Sequence, residues 1–136
     1  MKRSLLTVLI FGSLSFSCQD DDPAVFHLEE GTYTGTFYRS SPNARWATSH
    51  VSLTIEGGRF SGSSDTPHYP ALCEGSVVPV GADALRFSND CAWTADFDWS
   101  FILDGTYQIQ SADTGLVFYR EYEGSVYDTY ALSREE

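Results

Sequence analysis

Lysine occurs once in these 136 residues, at Lys2, and methionine once, at Met1. Eight basic residues face nineteen acidic ones, a formal charge of −11. So few cations leave no basic footprint for nucleic acid, and none is expected as a partner. A basic protein or a cation suits the charge better, although negative charge also simply keeps a surface protein soluble. No apolar run is long enough to span a bilayer as a resident helix. No segment keeps a helical period, and no repeat or low-complexity tract occurs. The chain lacks G-x-S-x-G, a phosphate loop and H-E-x-x-H. His27, His50 and His68 lie far apart without ligand spacing. Neither a catalytic residue nor a metal or other cofactor is therefore expected.

Met1-Lys2-Arg3 is a short positive start, residues 4–16 are apolar or small, and Ser17-Cys18 follows. This order reads as an export signal and is kept out of the fold argument. It resembles the bacterial lipoprotein signal, in which the mature chain begins at a lipid-bearing cysteine. Cys18-Gln19-Asp20-Asp21-Asp22 resembles the acidic surface-export signal of Bacteroidota lipoproteins. The resemblance implies a signal peptide at 1–17, lipidation of Cys18, an acidic tether at 18–28 and a domain at 29–136. It also implies an outer-membrane location, with the domain facing the cell exterior and the lipid providing the membrane contact. Multiple acyl chains, at about 0.8 kcal/mol per buried methylene, would hold it firmly. Loss of Lys2 and Arg3 takes the formal charge to −13 and leaves no lysine.

The remaining sequence is a series of short alternating runs broken by glycine and proline turns, the signature of an all-β fold. Strands are expected over 31–39, 46–56, 59–64, 73–78, 85–91, within the stretch 91–107, and over 106–110, 116–120 and 126–132, with a short further one near Phe26 as an option. Val51, Leu53 and Ile55 point inward, and His50 points out. Gly57-Gly58 is a two-residue turn that sets Ile55 opposite Phe60. Nearly every neighbouring pair is hairpin-linked, so the chain is an antiparallel meander of about 8–10 strands. Such a meander closes into a small up-and-down barrel, with a flattened sandwich as the alternative. Nine strands would leave one parallel seam; 59–64 and the Phe26 segment are the suspects for miscounting.

The steepest alternation runs from Cys91 to Tyr107, with Phe97, Trp99 and Phe101 on one face and Asp96, Asp98 and Ser100 on the other. It predicts a half-buried strand that organises the domain. A three-residue loop, Leu103-Asp104-Gly105, would carry a G1 bulge and set Phe101 against Tyr107 and Trp99 against Ile109. Before it, a hairpin centred on Ala82 puts Val77 opposite Phe87, Ser76 opposite Ser88 and Cys73 opposite Cys91. With Cys18 acylated, Cys73 and Cys91 are the remaining pair, and outside the cytoplasm they are expected to form a disulfide. The same register sets Glu74 against Asp90, a like-charge pair.

In the meander, the turns at Gly57-Gly58, Ala82, Gly105 and Gly124 fall at one end, together with the tether. The longer segments 40–45, 65–72 and 91–95 fall at the other, which makes that end the candidate site. Trp46, His68, Tyr69 and Trp93 lie there and are the candidate ligand-binding residues. They can equally cap a core that has 18 aromatic residues to place after residue 18. Asp96 and Asp98, alike in parity, are a weak candidate for a Ca²⁺ or acid–base pair; the plainer reading is a solvated strand face.

Gly31-Thr32-Tyr33 in the first strand and Arg134 after the last resemble the lipocalin and calycin pattern, with Tyr33 where that family carries Trp. The resemblance implies a barrel for a small ligand. The chain is thus expected to be a lipid-anchored, non-enzymatic, lipocalin-like barrel that binds a small, largely apolar ligand. The alternative is a protein-binding or inhibitor module that engages a basic partner through its long-loop end. Small disulfide-bonded barrel lipoproteins that inhibit lysozyme or metalloproteases are similar in outline.

Overall fold

The computed structural model describes residues 24–136. The expected signal peptide, Cys18 and the first part of the expected tether lie outside them.

Eight strands form a closed antiparallel barrel: β1 (Gly31–Ser41), β3 (Ser49–Glu56), β4 (Arg59–Ser64), β5 (Glu74–Val80), β6 (Ala84–Asn89), β7 (Gly105–Ser111), β8 (Leu116–Tyr122) and β9 (Val126–Arg134). Strands neighbouring in the chain pair in the barrel, and β9 closes it on β1 from Tyr33 opposite Arg134 to Ser40 opposite Tyr127. A ninth element, β2 (Ala44–Arg45), only folds back on the end of β1. Strict alternation builds the wall: in β3, Ser49, Val51, Leu53 and Ile55 are buried while His50 is exposed. Gly57 and Gly58 both take positive φ, which a two-residue hairpin turn between twisted strands requires, and Ile55 meets Phe60.

The disulfide hairpin has the expected register. Val77 pairs Phe87, Ser76 pairs Ser88, and Cys73 is bonded to Cys91. The Asp90 amide donates to the Glu74 carbonyl at 2.9 Å, so the two acids do face each other. Arg59, one strand over, meets Asp90 at 2.7 Å and relieves the repulsion.

The segment expected to organise the fold is not a strand. Residues 90–104 form a long loop ending in a single 3₁₀ turn, Trp99–Phe101. Local side-chain bonds outcompete the ladder there. Thr94 Oγ1 bonds the Asp96 carboxylate, the Trp99 indole donates to the Thr94 carbonyl at 2.8 Å, and Asp98 accepts from the Ser100 amide at 2.9 Å. Phe97, Trp99 and Phe101 consequently do not share a face. The expected G1-bulge hairpin is absent as well: Gly105 opens β7 and pairs Phe87 of β6.

Removing this one strand from the expected nine leaves eight, and the parity problem disappears. Of the two suspects, Arg59–Ser64 is a true strand, whereas Phe26 lies in none. Phe26 donates its amide to the Gly81 carbonyl at 2.9 Å and packs with Leu28 against the core, so the last tether residues belong to the barrel.

That contact fixes the polarity. The tether enters at the end holding turns 57–58, 81–83 and 112–115. Loops 42–48, 65–73 and 90–104 cluster at the opposite end, as expected, but the tight turn 123–125 joins them rather than the tether end.

The barrel is filled. Phe87, Phe118, Tyr130 and Phe37 stack in series, with ring centroids 5.2, 4.7 and 4.8 Å apart. Tyr107, Leu53, Leu85, Leu103, Leu116 and Val77 are fully buried around them. β1 crosses β9 so closely at Gly35 that a Cβ there would sit 2.0 Å from the Ala131 carbonyl oxygen. Gly35→Ala should therefore cost on the order of 1–3 kcal/mol, read as a lower urea midpoint at unchanged slope.

Candidate functional site

The long-loop end is closed by a plug. Residues 101–103 reach back under loop 65–73, where the Ala71 amide donates to the Phe101 carbonyl at 2.9 Å and the Leu103 amide to the Ala71 carbonyl at 3.2 Å. Ile102 and Leu103 are buried there, and Phe101 sets its edge against Phe37 and Tyr69.

A polar network that alternation did not disclose lies directly beneath. Arg39 on β1 and Asp128 on β9 are 8% and 1% exposed. Arg39 Nε donates to Asp128 Oδ1 at 2.6 Å and Nη2 to Oδ2 at 2.8 Å, a two-pronged ion pair. The strand register makes it, because Arg39 and Asp128 are direct cross-strand partners on the inner face. The sequence signal was present but weak: each falls on the inward parity of its strand, where a charge needs a partner. The guanidinium lies 3.9 Å over the Phe101 ring, and its Nη2 also donates to Ser100 Oγ at 2.9 Å. Burial works against its charge, but the hydrogen bonds and charge of Asp128 outweigh that and raise its pKa.

Arg120 on β8 extends the network. It donates to the Asp104 carbonyl and to the Tyr122 hydroxyl, and it lies 4.7 Å from the Tyr107 ring. The Tyr122 oxygen sits between the Asp128 carboxylate, at 3.0 Å, and the Ser100 carbonyl, at 2.9 Å. Burial and the Asp128 charge push the Tyr122 pKa up. Arg120 therefore holds the plug through the Asp104 backbone oxygen, and Arg39 holds it through the Ser100 hydroxyl and the Phe101 ring. This arrangement latches a loop.

The four residues singled out from the sequence all lie at this end, but in two environments. Tyr69 faces inward: its ring packs edge-on to Phe37 at 5.1 Å, and its hydroxyl donates to the Ala47 carbonyl at 2.6 Å. It caps the core. His68 stacks on Phe97 at 4.0 Å and meets the edge of Trp93 at 5.8 Å, joining loops 65–73 and 90–104 into one aromatic cluster. The Trp93 indole donates to Asn89 Oδ1 at 3.2 Å, which fixes the ring. Trp46 stands apart, 43% exposed. Trp99, not singled out, is the most exposed tryptophan at 55%, a position that the expected half-buried strand had concealed. Cys73 and Cys91 bind the roots of the two large loops together.

Asp96 and Asp98 are exposed and engaged locally. Thr94 holds the Asp96 carboxyl below the usual carboxylate range, and Ser100 does the same for Asp98. Asp98 also lies 3.6 Å from Arg39. No group of three or more His, Cys, Asp or Glu residues placed to hold a metal occurs among the described residues.

At the tether end, a hollow of about 330 Å³ is lined by Phe26, Leu28, Tyr33, Leu116 and Arg134 among others. Arg134, the last residue of β9, crosses Gly31 and donates to the Glu30 carbonyl at 2.9 Å. Tyr33 pairs Arg134 across the seam, and burial raises its pKa.

No protein-family description, curated protein or solved structure matches this chain.

Proposed function

We propose that this protein is a non-enzymatic binding module, tethered to the outer membrane through lipid on Cys18, that engages a protein partner with a basic surface through its long-loop end. The observation that carries this reading is the division of the aromatic residues. The interior is packed with the chain's own rings, while all three tryptophans, Trp46, Trp93 and Trp99, lie in loops of that one end. Exposed tryptophans on a rigid scaffold are the usual anchors of protein interfaces. Around them stand Asp65, Asp90, Asp96, Asp98, Asp104 and Glu123; Arg59 pairs with Asp90 and the buried Arg39 lies beside Asp98, and Arg45 is the one arginine within loops 42–48, 65–73, 90–104 and 123–125. The disulfide, the plug and the His68–Phe97 stack hold the loops in one shape, which limits the ordering cost of binding.

The lipocalin-like reading keeps one supporting observation, the meeting of Gly31, Tyr33 and Arg134 at the tether end. It supports a shared architecture. An apolar ligand inside this barrel would have to displace Phe101, Ile102 and Leu103, so the geometry favours the protein partner.

The placement of the tryptophans also supplies the assay. Titration with lysozyme, as a basic probe protein, should shift intrinsic fluorescence, and the affinity should fall steeply with salt. Trp46→Ala with Trp99→Ala should weaken binding about a hundred-fold while leaving the melting temperature unchanged, since neither ring is buried. A small apolar adduct that survives native mass spectrometry and leaves on denaturation would overturn this reading in favour of a carrier.

A further inference from the structure

The outer wall of β1, β3 and β4 carries a surface unlike the rest of the molecule. Its outward residues form three rows across three strands. Thr32, Thr54 and Ser61 make one row; Thr34, Ser52 and Ser63 the next; Thr36, His50 and Asp65 the third. Seven of these nine positions are serine or threonine. One is charged, Asp65, and its carboxylate already accepts from the His50 amide at 2.9 Å and from the Thr66 hydroxyl at 3.2 Å. Thr32 and Thr54 bond each other at 3.1 Å. The hydroxyls of Thr34, Thr36, Ser52, Ser61 and Ser63 have no partner within the protein among the described residues. A shallow, open depression of about 520 Å³ lies over Thr34, Ser52, Ser63, His50 and Asp65. One row further along β1, Tyr38 stands at the margin with Arg45 stacked 4.0 Å from its ring.

We infer that this wall binds a neutral oligosaccharide. Each hydroxyl both donates and accepts, as sugar hydroxyls do, so an array of them matches a glycan in either polarity. Across three strands the array covers a few hundred Å² at strand spacings of about 4.8 Å. A stable protein pair buries about 800 Å² per partner, so a protein is too large an occupant for this area. The nine positions include no large apolar side chain for a lipid and no lysine or arginine for an anionic glycan. The inference does not rest on the loop-end reading: the two surfaces share no tryptophan and meet only at Asp65, whose carboxylate is held by the His50 amide and the Thr66 hydroxyl.

The test is amide chemical-shift mapping on the oxidised domain. The probes are maltohexaose, cellohexaose and mannohexaose at millimolar concentration, with a hyaluronan hexasaccharide as the anionic control. At least one neutral probe should shift amides around His50, Ser52 and Ser63 and leave Trp46 and Trp99 unmoved. Ser52→Val with Ser63→Val keeps strand propensity and removes two hydroxyls. It should lower affinity by about ten-fold with an unchanged fold, as judged by the unperturbed remainder of the spectrum. Silence with all three neutral probes, shifts confined to the loop end, an equal response to hyaluronan, or full binding by the valine variant would each overturn the inference.

Discussion

Asp128→Asn should cost the fold about 3–5 kcal/mol, the largest single-residue effect expected outside the aromatic core. The carboxylate it removes is 1% exposed and takes two hydrogen bonds from Arg39. The change leaves a guanidinium in the barrel mouth without its counter-charge, and its desolvation is then uncompensated. Against a typical total of about 5–15 kcal/mol, such a loss removes a large share of the stability. Urea denaturation gives the magnitude. A second variant identifies the cause: Arg39→Met on top of Asp128→Asn should recover much of the loss, because a neutral pair no longer carries a stranded charge. If the double variant is as unstable as the sum of the two single changes, the ion pair is not the reason.

Opening the Cys73–Cys91 bond, by reductant or by Cys73→Ser with Cys91→Ser, should cost about 3 kcal/mol on the chain-entropy argument for a loop of this length. The separation is 18 residues. The local consequence should exceed the global one. Trp93 lies two residues beyond Cys91 and contacts His68 from the other loop, so its environment should loosen before the barrel melts. Tryptophan fluorescence should then begin to change at a lower urea concentration than the far-ultraviolet signal of the strands. Coincident transitions after reduction would show that the plug and the His68–Phe97 stack hold the loop without the disulfide.

The strand positions that could be read from the sequence were those whose alternation served a single buried face. Val51, Leu53 and Ile55 alternate because one side of β3 meets the core, and the Cys73–Cys91 register follows from a turn with one plausible centre. Asp96 to Phe101 alternate for another reason. Their acids make turn contacts, Phe97 packs on His68 and Phe101 packs beneath Arg39, so a period of two arises without a sheet. Periodicity counts residues; it does not say whether a partner strand is free to pair. The candidate site was legible as a location, through loop length and aromatic content. The Arg39–Asp128 latch was not, because the partners are 89 residues apart and meet only across the closing seam.

That seam has a consequence for how the protein is made. β1 is the first barrel strand to be synthesised and β9 the last, yet each is the other's neighbour along eight residue pairs. Until Val126–Arg134 arrives, the chain is an open sheet with two sticky borders, and the buried arginine on β1 has no carboxylate to meet. Closure must therefore wait for β9, and it joins strands far apart in the chain, a topology that slows folding. The same geometry offers a repair: joining the chain's ends and opening it at turn 57–58 would make β1 and β9 consecutive and turn this long-range contact into a hairpin.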